Sequence, residues 1–129
     1  MDTSAKTGYK SLDAVYGSLK QGFTNHRVIE GSTLVGTFES DPQYTMVDLG
    51  SFPAVTLGGS SSIYCEVYSV DMETLRKLYR LEGCDFNTGT GLYDAKDIET
   101  PFGAATIFIM ESNKKYTNNR RVIDCGVWS

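Results

Sequence analysis

The sequence predicts an α+β domain of many short strands and one main helix, curled into a small barrel or sheet. Three observations predict it. The chain has 129 residues, enough for one domain with an enclosed core and a small-molecule pocket. Short β-branched and aromatic runs recur between turn dipeptides. One stretch alone repeats its apolar residues at helical spacing between a start and a stop signal. A composition of 40% apolar and 22% charged residues, with eight tyrosines and six phenylalanines, is that of a globular chain.

Residues 1–11 are polar and without periodicity, so they read as a flexible leader before a single domain at 12–129. Residues 12–16 form a short strand that stops at Gly17. Residues 32–40 and 44–48 read as strands on either side of the turn dipeptide Asp41-Pro42, and 52–57 as another after Gly50. The run from Gly58 to Ser62 is a loop, because no Lys-Ser/Thr pair follows at the spacing of a phosphate cradle. In 63–70, Ile63, Cys65 and Val67 alternate with Tyr64, Glu66 and Tyr68, as in a strand.

The helix is expected over 71–81. Asp71 is its N-cap, Glu73 complements its dipole and Gly83 stops it. Gly89 and Gly91 form a Gly-x-Gly, but Asp94 stands where a dinucleotide fingerprint needs its third glycine, and no helix pattern follows. Residues 104–111 are a β-branched and aromatic strand after Gly103. Residues 113–121 are basic and polar, a solvated loop, before Val122, Ile123 and Trp128 offer apolar anchors.

Sixteen acids against twelve bases leave a formal charge of -4, with no basic stripe to neutralise phosphates, so nucleic acid is not expected as a partner. The longest apolar run, 104–110, is too short to span a bilayer, and the polar N-terminus has no signal-peptide pattern. No membrane association and a cytoplasmic location are expected. Cys65, Cys84 and Cys125 are odd in number and widely spaced, and His26 is the single histidine. Neither a disulfide framework nor a metal site is expected.

Glu82 is the residue hardest to explain as surface decoration. Leu75, Leu78 and Tyr79 precede it by seven, four and three residues, so it continues the helix's apolar stripe. Burial there and the negative end of the helix dipole both oppose ionisation, which suits a general acid–base. A frayed last turn with Glu82 in solvent is the competing reading. Upstream, Tyr16-Gly17-Ser18-Leu19-Lys20 with Gly22, Asn25 and His26 places small residues where a strand ends. Backbone amides there can approach an anion such as a carboxylate. An ordinary Gly-Ser turn is the alternative, and His26 reads as a capping or packing residue, since no nucleophile elbow is visible.

Taken together, Tyr16-Gly17-Ser18-Leu19-Lys20 with Gly22 and Asn25-His26, then Glu66-Val67-Tyr68 with Val70-Asp71, then Leu81-Glu82-Gly83, resemble the gamma-glutamylcyclotransferase-like superfamily in type, order and spacing. Asn25-His26-Arg27-Val28 is most similar to its gamma-glutamylamine cyclotransferase branch, and the ending Ile123, Gly126, Trp128 to its short members. Two departures stand out. Cys65 replaces the glycine usual before Glu-Val-Tyr, and the nearest match to a Tyr-x-Arg after Glu82 is Tyr93-Asp94-Ala95.

The resemblance implies a small mixed β-barrel with flanking helices whose cavity holds a gamma-glutamyl group. It implies a role for Tyr16, Gly17, Ser18 and Leu19 in binding the substrate's alpha-carboxylate and amino end, and acid–base work for Glu82. The implied reaction cyclises a gamma-glutamyl amine or amino acid to 5-oxoproline with release of the amine, without cofactor or metal. The rival expectations are a non-catalytic module that keeps a small anionic ligand in the same cavity, and an interaction protein.

Overall fold

Strands form where apolar side chains alternate between two faces, and the helix where they recur every three or four residues. The computed structural model describes residues 10–129, so residues 1–9 of the expected leader lie outside the described residues. Among the described residues the elements run β1 (Ser11–Val15), β2 (Thr33–Glu39), β3 (Tyr44–Asp48), β4 (Pro53–Leu57), β5 (Tyr64–Val70), α1 (Met72–Leu81), β6 (Asp94–Thr100), β7 (Gly103–Ile109) and β8 (Arg121–Val122). Short 3-10 turns lie at His26–Val28 and Lys114–Thr117.

β1 is the middle strand of a five-stranded sheet in the order β2-β5-β1-β7-β6, and a three-stranded sheet has the order β4-β3-β8. β1 runs antiparallel to β5, from Ser11 opposite Val70 to Val15 opposite Glu66. It runs parallel to β7, with Asp13 opposite Thr106. The mixed α+β class is as expected, but the barrel is not closed. β2 and β6 are the two outer strands of the larger sheet and do not pair. Each edge carries a device against further pairing: a register shift between Leu34 and Gly36 in β2, and the exposed charges Lys96, Asp97 and Glu99 in β6. The larger sheet is tied to the smaller one instead by a backbone bond from Met110 N–H, just past β7, to the Val55 carbonyl of β4 at 2.9 Å.

The expected strands lie within a residue or two of those observed, and β1 starts at Ser11, one residue before expectation. β6 and β8 were not expected. β6 buries only Asp94 and Ile98 and turns charge outward, so its sequence lacks apolar alternation. β8 is two exposed residues at the end of the expected loop, held where the Arg121 guanidinium donates to Asp48 at 2.7 Å.

Alternation along the larger sheet divides the core. Ala14, Tyr16, Cys65, Val67, Ile107 and Ile109 face one way and pack with Met46 and Val55 of the smaller sheet. Val15, Tyr68, Val70 and Phe108 face the other way, where Leu75 and Leu78 of α1 cover them. The helix starts as expected, with the Asp71 carboxylate accepting the Thr74 amide at 2.8 Å. It ends in a Schellman closure: Cys84 N–H donates to the Tyr79 carbonyl at 2.9 Å and Gly83 N–H to the Arg80 carbonyl at 3.1 Å, with Gly83 at φ +64°.

That left-handed turn follows Glu82, the C-cap of α1, and sends the chain back towards the sheet. Gly83→Ala would hold a Cβ in the left-handed region, only 3.2 Å from Leu92 Cβ. It should cost about 1–2 kcal/mol, read as a lower thermal midpoint; an unchanged midpoint would show that the closure does not depend on glycine.

Candidate active site

Where β1 ends, the chain turns through Gly17, Ser18 and Leu19 into a loop pinned from several sides. A Cβ on Gly17 would lie 2.9 Å from both Cγ and Cδ of Pro53, so only glycine lets the loop pass that ring without a shift. Asn25 ties the loop to itself, its amide donating to the Ser18 carbonyl at 2.9 Å and its Nδ2 to Ser18 Oγ at 2.8 Å. His26, expected to cap or pack locally, donates Nδ1–H to the Leu19 carbonyl at 3.0 Å. Lys20 Nζ donates to the Trp128 carbonyl at 2.6 Å, which fastens the C-terminal segment to the same loop.

Glu66 fixes the far side. Its Oε1 accepts the Gln21 amide at 2.8 Å and the Tyr68 hydroxyl at 2.8 Å, so two members of the Glu66-Val67-Tyr68 motif hold the loop rather than face the cavity. Among the described residues, no acceptor takes the amide protons of Gly17, Ser18 or Leu19. Backbone amides left without an acceptor beside a cavity are suited to an anion.

The loop rims a cavity of about 170 Å³. Tyr16, Gly17, Ser18, Leu19 and Glu82, all expected from the sequence, line it together, with Asn25, Phe52, Pro53, Leu81, Tyr93 and Phe108 completing the wall. The solvent-facing alternative for Glu82 does not hold. The whole residue is half-buried, and its carboxyl is desolvated where it lines the cavity. Burial, and then the neighbouring Asp13, push its pKa up to about 8. The helix C-terminus acts in the same direction.

Two tyrosines flank the carboxyl. Tyr16 donates its hydroxyl to the Phe108 carbonyl, and Tyr93 donates to the Pro53 carbonyl at 2.8 Å. Burial first, and then charge on Glu82 among other neighbours, raise both phenols, so they stay neutral walls whose protons are already committed. Glu82 is thus the cavity group whose proton can move near neutral pH.

Reasoning from sequence did not assign Phe52, Pro53, Tyr93, Phe108 or Asp13 to the site. Tyr93 had a signal, as the tyrosine following the Leu-Glu-Gly motif; the others are brought in by sheet register alone. Cys65, the departure before Glu66, is fully buried in the core between the sheets and does not line the cavity. Ala95 stands where the family pattern suggested arginine, so no guanidinium comes from that position. A larger cleft of about 440 Å³ lies between the β2–β3 turn and β6, lined by Glu39, Asp41, Asp97 and Glu99, and contains none of the expected site residues. Among the described residues, no three His, Cys, Asp or Glu side chains come together as a metal-ligand group.

The chain is similar to known proteins over almost all of its length. It is 39% identical over 114 residues to a Vibrio cholerae protein provisionally named a gamma-glutamylcyclotransferase, covering 88% of this chain and 91% of that one. The solution structure of the Escherichia coli protein ytfP superposes with a TM-score of 0.66 at 30% identity, covering 93% of this chain and 96% of that one. The crystal structure of a mouse AIG2-like protein superposes with a TM-score of 0.74 at 20% identity, covering 90% and 87%, and shares the fold. The profile described as gamma-glutamyl cyclotransferase, AIG2-like, matches residues 14–129, and the chain therefore belongs to that family.

Proposed function

We propose that the protein cyclises the gamma-glutamyl group of a gamma-glutamyl amine or amino acid, releasing 5-oxoproline and the free amine, with Glu82 as general acid–base. One observation carries the reading: a desolvated carboxyl and three amides without acceptors, from elements far apart in sequence, line a single small cavity. Membership of the family supports the same chemistry.

In this reading the substrate's alpha-carboxylate lies against the amides of Gly17, Ser18 and Leu19, and its alpha-ammonium faces Glu82. Ionised Glu82 takes one proton from the ammonium. The freed nitrogen lone pair bonds to the side-chain amide carbon, forming the five-membered ring. As the bond from that carbon to the leaving nitrogen breaks, Glu82 returns its proton to that nitrogen. Ionised again, it takes the surplus proton from the ring nitrogen and passes it to the released amine, which departs as its ammonium. Atoms and protons balance with one carboxyl, because nucleophile and electrophile belong to one substrate and the cavity's task is to orient them. A carboxyl lifted to about 8 lies far closer to the basicity of an alpha-amino group than an ordinary carboxyl does, so neither transfer is steeply uphill.

Four measurements test this. Glu82→Gln should lower 5-oxoproline release from a panel of gamma-glutamyl amines by about 10²- to 10⁴-fold. Full activity in that variant would remove Glu82 from the mechanism, and a retained ligand with no product in the wild type would mark a non-catalytic binding module. Glu82's folded pKa lies above its ordinary value of 4.5, so its contribution to stability is fully present below about pH 4.5 and is lost as pH rises through about 8. Glu82→Gln should therefore melt above the wild type at alkaline pH, with the gap closing towards pH 5.

The rate has the opposite dependence. Since Glu82 must be ionised to accept the first proton, kcat/KM should rise about tenfold per pH unit well below pH 8 and level off above it. A flat profile from pH 6 to 9 would contradict the assignment. Ser18→Phe should fill the mouth of the loop and abolish the thermal stabilisation that added 5-oxoproline gives the wild type. Unchanged stabilisation would place the carboxylate elsewhere.

A further inference from the structure

β1 carries a second carboxyl that the reaction above leaves unused. Asp13 is 1% exposed, and neither carboxylate oxygen has a hydrogen-bond partner among the described residues. Buried polar groups are nearly always paired, and a buried carboxyl without donors loses its hydration with nothing in exchange. A leucine or valine at this point of a central strand would carry no such cost.

The register says what Asp13 is near. It sits opposite Tyr68 of β5 and Thr106 of β7, and by strand alternation it faces the same side as Val15, the side that Leu75 and Leu78 of α1 cover. The next residue, Ala14, begins the cavity wall that Glu82 closes from the end of that helix. Of the two cross-strand hydroxyls, that of Tyr68 donates to Glu66, and that of Thr106 makes no hydrogen bond to Asp13. Tyr16 from the end of β1's run into the loop, Tyr93 from the segment before β6 and Cys84 from the segment after α1 are the other titratable groups around Glu82. No cationic side chain among the described residues acts on Glu82 or Asp13.

We propose that Asp13 is a positioning residue that acts through Glu82: its buried negative charge, held on β1 beside the cavity, makes Glu82 a stronger base than burial alone would. The inference rests on Glu82 as the acid–base of the proposed reaction. Burial lifts Asp13 to about 7 and Glu82 to about 8, so the two carboxyls titrate over overlapping ranges and charge on one opposes ionisation of the other. The two carboxyls then lose their protons in turn, and the macroscopic steps belong to the pair. The benefit is a closer match between Glu82 and the substrate's alpha-amino group. The cost is a core that loses stability with rising pH, because Asp13's folded pKa lies above its ordinary 3.8.

The test uses Asp13→Asn, which keeps the shape, and Asp13→Leu, which removes the unpaired polar group. In both, the acid limb of the kcat/KM profile should move down by about one pH unit, a shift typical of a lost like charge, and the plateau should fall a few-fold. A purely structural Asp13 would change thermal stability and leave that midpoint in place. The Glu82 carboxyl is also titrated by infrared difference spectroscopy, with Glu82→Gln identifying its band. Its midpoint should fall by the same amount in each Asp13 variant, and an unchanged midpoint overturns the proposal. This readout needs no turnover, so it decides the Asp13 question even if the wild type cyclises nothing. Should neither variant fold, the wild type alone decides: two coupled carboxyl bands should titrate well above the ordinary carboxylate range, and a single one overturns the proposal.

Discussion

The site depends on the placement of β1 between an antiparallel and a parallel neighbour. A strand in that position has both edges paired, so its end is held in direction as well as in place. The loop that follows leaves the sheet at a fixed point, passes Pro53 at a distance only glycine allows, and is stitched down by Asn25, His26, Lys20 and Glu66. With so many of its polar groups engaged, the three amides of Gly17, Ser18 and Leu19 stand out as those that are not. Preorganisation of this kind is paid for in folding rather than at the moment of binding.

Desolvation supplies the chemistry to that frame. The Schellman closure at Gly83 leaves Glu82 as the C-cap of the helix, and the neutral walls of Tyr16, Tyr93 and Phe108 strip water from its carboxyl. Because both tyrosines have donated their protons to backbone carbonyls, they neither solvate nor neutralise the charge. Glu82 stays undecided between its two protonation states near neutral pH, the condition under which one residue can both accept and return a proton. Asp13 intensifies that condition from the other side of the wall.

Much of the frame was legible because it is local. Asp71 and Gly83 bracket the helix through hydrogen bonds within a turn of each residue, and the alternation of 63–70 marks a strand wherever it is placed. The oriented loop and the Glu82 motif were legible as order and spacing, and the apolar stripe leading to Glu82 already indicated a desolvated carboxyl. β6 was not legible. An edge strand buries one side of a few residues, and the charges that protect its free edge erase the pattern by which strands are recognised.

By itself, then, the sequence determined the single helix with its caps, most strands to within a residue or two, and the five residues that line the cavity from Tyr16 to Leu19 and at Glu82. Only the tertiary structure decided that the sheets stay open rather than close into a barrel, and that Phe52, Pro53, Tyr93 and Phe108 complete the wall. It alone shows that Asp13 is buried without a partner beneath the helix that carries Glu82. The physical reason is range: caps and alternation are set by neighbours a few residues apart. Strand register and the desolvation of a carboxyl depend on which distant segments meet, and nothing local to Asp13 or Phe108 records their partners.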